Sequence, residues 1–335
     1  MPKILKSPYE KVFEQGAWAV GNISADDGSF KEILLKYEVL EPLVTKILGT
    51  SDSEIIKYTS WALCNLVSGG SRHLKKRLAV AALVKLLMTQ SDLEILQNSL
   101  TALLDITDDS LIQILIDSNL VERLVNLMKN PEPQILYTIL QILAYVTNGS
   151  DDQTQSIIDN GGVTVIFELM KLPTLDHMCR RECLWIISNV LVGTYQQMKY
   201  IFRNNDWVNA LFNHCAHENT KVKREAIWSL CNSTKNGDAE HISLLIEKGI
   251  LTIYSLNLDS HCEDSIIKTI LESLSHVLRW GKEDSSAAMP NKFQAHLETT
   301  GIIDKLETLQ LHPSPGIYQA TTSLLENFFI LHDPI

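Results

Sequence analysis

The side chains best suited to chemistry here are a tryptophan and an asparagine four positions apart, Trp18 and Asn22 in EQGAWAVGNISADDGS. An asparagine amide offers a donor and an acceptor, so it can pair with the N–H and C=O of a peptide backbone whatever the side chain. An indole offers a flat apolar wall for the methylene stem of Lys or Arg, and its face attracts the charge at the end. Together they suit non-covalent capture of an extended, cationic peptide. The pair returns as Trp61 and Asn65 in KYTSWALCNLVSG, Trp185 and Asn189 in RRECLWIISNVLVG, and Trp228 and Asn232 in KREAIWSLCNSTKNG. Trp18 and Trp61 are 43 residues apart, as are Trp185 and Trp228, and the gap of 124 from Trp61 to Trp185 is close to three further periods. Degenerate copies fall where those periods predict: Thr101 and Asp105, Gln141 and Tyr145, Glu272 and His276, and a last copy in GIYQATTSLLENFFI.

Each copy has apolar residues at helical spacing and is read as a helix, on which residues four apart lie one above the other on one face. Between copies lie two shorter helical patterns with a break at Asn, Gly or Pro, as in DQTQSIIDNGGVTVIFELMKLP, and there is little strand signal. A unit of about 42 residues with three helices is the armadillo period. Such a unit cannot bury its own apolar face, so the units stack. The expectation is an all-α, right-handed superhelical armadillo-repeat solenoid forming one domain over 1–335: a partial repeat at 1–28, then about seven complete three-helix repeats over roughly 29–335. The third helix of each unit lines the concave side, which turns the Trp and Asn positions into a ladder.

Acids at the slots would complete a cation site. Asp26 and Asp27 follow Asn22, Asp105, Asp108 and Asp109 cluster at the third helix copy, that of Thr101 and Asp105, Asp151 and Asp152 follow the next, Glu225 precedes Trp228 by one turn, and Glu272 takes a Trp position. Trp207 and Trp280 lie off the ladder and are read as packing.

Composition narrows the class. The 335 residues are 45% hydrophobic and 21% charged, enough for a large core. The net charge of -11 argues against nucleic acid and for a basic partner. No apolar run is long enough for a membrane span or a signal peptide, so no membrane partner is expected. The six cysteines, Cys64, Cys179, Cys183, Cys215, Cys231 and Cys262, form no CxxC pair and read as small core residues of a reducing compartment, cytoplasm and nucleus. Cys179, Cys183 and His177, or His214 beside Cys215, do not make a four-ligand metal set. With no catalytic motif present, no enzyme activity and no cofactor is expected.

EQGAWAVGNI, SWALCNL, TNGSDDQTQSIIDNGG, RRECLWIISN, KREAIWSLCN, SIIKTILESL and the terminal GIIDKLETLQLHPSPGIYQATTSLLENFF resemble successive repeats of importin-α (karyopherin-α), in that family's order. The resemblance implies a nuclear import adaptor that binds Lys/Arg-rich nuclear localisation signals of cargo proteins. It implies a major-site-like stretch at Trp18, Asn22, Trp61, Asn65 and Asp105. It implies a minor-site-like stretch at Trp185, Asn189, Trp228 and Asn232, with Glu225 and Glu272 as acidic partners. The departures at Thr101, Asp105, Gln141 and Tyr145 predict a shortened major site and a nearly intact minor site. MPKILKSPYEKVFEQ has no counterpart of the family's basic importin-β-binding segment or of its first repeat, so recruitment of importin-β is not expected in the usual way. The C-terminal repeats are where the family's export receptor would dock.

Two other readings keep the fold. One is an armadillo scaffold, or a protein that sequesters cargo without coupling to importin-β, motivated by the eroded rungs. The other is self-association through an apolar N-terminal edge at Val12, Phe13 and Val20.

Overall fold

The structure is a computed structural model that describes residues 2–26, 28–69, 74–283 and 292–329. Among these the chain forms twenty-two helices and no strand. It divides into two compact units, Met1–Ile166 and Phe167–Ile335.

The first unit contains α1 (Pro2–Leu5), α2 (Glu10–Ala25), α3 (Gly28–Lys36), α4 (Leu40–Gly49), α5 (Ser53–Val67), α6 (Lys76–Thr89), α7 (Leu93–Ile106), α8 (Asp109–Asp117), α9 (Leu120–Met128), α10 (Pro133–Thr147) and α11 (Asp151–Asp159). α12 (Gly162–Met170) begins in it and ends in the second unit. There follow α13 (His177–Val192), α14 (Tyr195–Phe202), α15 (Asn205–His214), α16 (Thr220–Ser233), α17 (Ala239–Glu247), α18 (Ile250–Asn257), α19 (Asp264–Glu283), α20 (Gln294–Thr299), α21 (Ile302–Leu309) and α22 (Pro315–Phe328).

Two short helices followed by a long one is the recurring pattern, and the ladder residues ride on the long ones. Their starts are encoded locally. Asp52, Asp92, Asp176 and Asn219 each sit just before a long helix and accept two of its free N–H groups, opening α5, α7, α13 and α16. Pro133 and Pro315 open α10 and α22, where a missing N–H costs nothing.

The break between the two short helices also has one physical form. Glu38, Asn119, Gly249 and Gly301 hold left-handed backbone immediately or shortly before α4, α9, α18 and α21. Gly249, at φ 93°, adopts it without the Cβ clash that Glu38 bears at φ 55°.

Apolar residues at helical spacing fill the interior of the first unit: Leu43, Ile47, Leu63, Leu83, Leu100 and Leu103 are fully buried, each worth about 1.5–3 kcal/mol against exposure. In the second unit the interior is partly polar. Arg180 is buried, and its guanidinium donates to the carbonyls of Met170, Leu172 and Leu175 and lies 3.1 Å from His214 Nε2. Trp207 is packing, as expected: it is 8% exposed and stacks on Phe167 at 4.8 Å. Trp280 is half-buried on α19. All six cysteines are unpaired and five are buried.

The apolar edge expected at Val12, Phe13 and Val20 is not what forms. Phe13 and Val20 are buried and only Val12 is exposed. α1 packs on α2 and α4, and the Lys46 ammonium lies 5.4 Å from the centre of the Phe13 ring, paired with Glu10 at 3.4 Å.

Candidate functional site

In the first unit α2 and α5 pack side by side, and this brings Trp18 and Asn22 beside Trp61 and Asn65. Gly21 sets the spacing. A Cβ there would fall within the Trp61 ring, so the indole lies directly on the α2 backbone. Asn65 then reaches back to donate its Nδ2 to the Gly21 carbonyl at 3.2 Å, while Asn22 donates to the Trp18 carbonyl of its own helix at 3.0 Å. Trp18 remains 52% exposed, whereas Trp61 is half-buried. The two indoles wall a slot of about 170 Å³ completed by Lys57, Tyr58 and Glu94.

Asp105 and Asp108, two of the acids expected at the mouths of such slots, have partners within the chain. Asp105 accepts from Ser68 Oγ at 2.6 Å and from the Gly69 amide at 3.2 Å, closing the turn after α5. Asp108 caps α8 and is bound by Lys76, which with Ser110 holds its carboxyl below the usual range. Asp151 and Asp152 lie in the first turn of α11, where the helix dipole favours negative charge. Asp26 is exposed at the end of α2, and Asp27 lies outside the described residues. On the degenerate rungs, Thr101 bonds its own helix through the Gln97 carbonyl, Gln141 donates to Tyr137, and Tyr145 is 44% exposed.

In the second unit α13 and α16 repeat the arrangement with more polar stitching. Asn232 donates its Nδ2 to Ser188 Oγ at 2.9 Å and to the Ser188 carbonyl at 3.4 Å. Ser188 stands three residues after Trp185, as Gly21 does after Trp18, so the same amide makes the same link to the preceding long helix. Ser229 adds a bond to the Leu184 carbonyl at 3.2 Å. Trp185 is 41% exposed, Trp228 and Asn189 are half-buried.

Glu225 lies one turn before Trp228, with Arg224 at 3.3 Å. Burial pushes its carboxyl up, against the opposing pull of Arg224 and Arg181. Glu182 holds the same place before Trp185, is fully buried, and pairs with Arg181 through Oε1, while Oε2 has no hydrogen-bond partner. Glu182 was missing from the sequence-based candidates. The Arg-Glu dipeptide shared by RRECLW and KREAIW, 43 residues apart, is the signal that marks it.

Glu272 lines two recesses. One, of about 150 Å³, also contains Asn232, Lys235 and His276; the other, of about 360 Å³ against α22, contains Lys268, Arg279, Asn327 and Phe328. It therefore stands among the chain's own cations. His276 reports this: burial lowers its pKa, Arg279 and Lys235 lower it further, and Glu272 opposes them.

A stack of helix trios whose long helices carry the pairs defines an armadillo-repeat protein. Solved structures agree: an engineered protein matches 97% of this chain with a TM-score of 0.66 at 19% identity, and a designed armadillo repeat protein matches 73% with a TM-score of 0.63 at 22% identity, each over 97% of its own chain. No family model matches the chain. Among curated proteins, Importin subunit alpha-8 of Arabidopsis thaliana is 25% identical over 331 residues, covering 98% of this chain and 74% of its own length. Importin subunits alpha-1b and alpha-1a of Oryza sativa subsp. japonica are each 28% identical, also over 98% of this chain, which spans 62% and 63% of their lengths. The similarity to importin-α thus runs along nearly the whole sequence, beyond the tryptophan motifs that first suggest it.

Proposed function

We propose that this chain is a peptide-binding adaptor of the importin-α type, which holds extended Lys/Arg-rich segments of cargo proteins, nuclear localisation signals among them, on its long helices. The observation that carries this reading is the same pair built twice. Exposed Trp18 and Trp185 ride on long helices packed against those that carry half-buried Trp61 and Trp228, and each second asparagine is tied to the residue three places after the first tryptophan. Trp18, Asn22, Trp61 and Asn65 form one peptide stretch and Trp185, Asn189, Trp228 and Asn232 the other. Glu182 joins Glu225 as an acidic partner in the second. Asp105 and Glu272 are set aside as primary ligand acids, because the chain's own donors and cations already surround them. On this reading the repeats run over nearly all of 1–335, catalysis plays no part, and the protein works in cytoplasm and nucleus. Docking of an export receptor on the C-terminal repeats belongs to the same proposal; coupling to importin-β in the usual way does not.

The test is binding of a fluorescent bipartite basic peptide to the parent chain, to Trp18→Ala/Trp61→Ala and to Trp185→Ala/Trp228→Ala. The expected result is micromolar or tighter binding by the parent, with the larger loss in the second variant. A scrambled neutral peptide that binds as well as the basic one would refute the adaptor. A scaffold that holds some other partner is the second reading, favoured by the self-satisfied acids Asp105 and Asp108 in the first unit.

A further inference from the structure

We propose that Lys57 is a built-in competitor for the cation slot between α2 and α5, so that a ligand's Lys or Arg enters only by taking Glu94 from Lys57. The inference rests on the adaptor reading and deepens it by naming what sets selectivity in one of the two peptide stretches.

The slot between Trp18 and Trp61 has the parts that a cation site needs: two indole walls, a carboxylate and room for a side chain, about 170 Å³. It also has a resident cation. Lys57 lines the same slot and places Nζ 3.2 Å from Glu94 Oε2, while Asp92, the cap of α7, adds attraction at longer range. Lys57 precedes Trp61 by one helical turn, so its ammonium is tethered at high effective concentration beside the wall that a ligand would use. Both partners of the pair are more than half exposed, at 54% and 61% of the side chain, so the contact exchanges with solvent and is weak. That is the behaviour of a competitor and not of a lock.

The second unit differs at the matching positions. Arg181 and Arg224 also stand four residues before a ladder tryptophan, and each pairs with the glutamate next to it in sequence, Glu182 and Glu225, Arg224 reaching Glu263 at 3.3 Å as well. Lys57 has no acidic neighbour of that kind, since Tyr58 follows it, and it reaches across to another helix for its carboxylate. With Lys57 and Glu94 both present the slot carries no net charge. It should therefore discriminate poorly between Lys or Arg and a neutral side chain of similar length.

The experiment uses the Trp185→Ala/Trp228→Ala background, so that the first unit reports. Two labelled peptides are titrated, one Lys/Arg-rich and one with Gln in place of the basic residues, against that protein and its Lys57→Met and Glu94→Gln derivatives. Methionine keeps the stem and removes the charge. Lys57→Met is expected to tighten the basic peptide about three- to fivefold and to steepen its salt dependence, with the Gln peptide unchanged. Adding Glu94→Gln to Lys57→Met should cancel the gain. Equal affinity of the basic peptide for parent and Lys57→Met, or weaker binding by the variant, overturns the competitor and leaves the adaptor standing. Failure of the basic peptide to bind any of these proteins, together with failure on the unmutated chain, overturns both.

Discussion

The two units solve the same packing problem with different interiors. Among the described residues, the buried polar side chains of the first unit are all hydroxyls: Ser24, Thr59, Ser60, Ser99, Thr147 and Thr154. The second buries Arg180, Glu182, Gln197, His241 and Asn257 as well. The matching long-helix pairs follow suit. α2 and α5 meet through a glycine and an indole face, with one amide bond between them; α13 and α16 meet through Ser188, Ser229 and Asn232. A hydroxyl can bond a nearby helical carbonyl, as Ser60 and Thr147 do, but a buried ion or imidazole must be satisfied by a particular neighbour. The difference teaches that shape fixes the first joint and hydrogen bonding fixes the second, so the two should fail under different insults.

Acid is the harshest way to separate them. His241 is buried against Phe202 and Ser233, and burial lowers its pKa from 6.5 to about 4. The unfolded chain binds a proton below about pH 6.5 that the folded form refuses until about pH 4. Stability of the second unit should therefore fall through that window, by about 3 kcal/mol at most, and level off below it. Chemical denaturation across pH 4 to 7 measures this, and His241→Phe should flatten the curve. A pH dependence unchanged in that variant would remove the titrating imidazole from the contrast.

Shape is broken by Gly21→Ala. The added methyl enters the space of the Trp61 ring, so the indole must move, at about 1–3 kcal/mol. Trp fluorescence should shift together with stability. Ser188→Ala, at the matching place, should leave the indole signal unchanged.

The amide links sharpen the contrast further. Asn232→Ala should cost about 1.5 kcal/mol and Asn65→Ala about 0.5–1 kcal/mol, because Asn232 has two acceptors and Asn65 one. Equal losses in urea titrations would mean that the serine hydroxyl contributes nothing. The smallest effect expected is a gain. Glu38→Gly relieves left-handed backbone at an exposed turn and should stabilise the first unit by about 0.5 kcal/mol, less whatever the 3.8 Å contact with Lys75 contributes.

Much of this was legible in the residue string. Apolar residues at helical spacing around each Trp and Asn pair point to helices, the capping Asp and Asn residues mark where those helices begin, and the 43-residue recurrence places the long ones. What a string does not carry is which polar group has already found a partner. Asp105 reads as a ligand acid until Ser68 and Gly69 are seen to hold it. Glu272 reads as an acidic slot wall until it is seen to share its recesses with Lys268 and Arg279 of its own helix and with Lys235. Phe13 and Val20 looked like an exposed edge because the burial of the one and the other depends on helices packing over them, which local periodicity does not encode. Glu182 lies outside the Trp and Asn pattern, and nothing local in RRECLW tells that its side chain is buried.

The amide bonds from Asn65 to Gly21 and from Asn232 to Ser188 have a mechanical side. Each is a tie rod between one long helix and the one before it, anchored on the same side chain that the proposed peptide would engage. Pulling on that amide from outside would strain the joint, and stretching the joint would reorient the amide. Stiffness and recognition thus share a part, and elasticity measured under load on Asn65→Ala or Asn232→Ala would read the coupling directly.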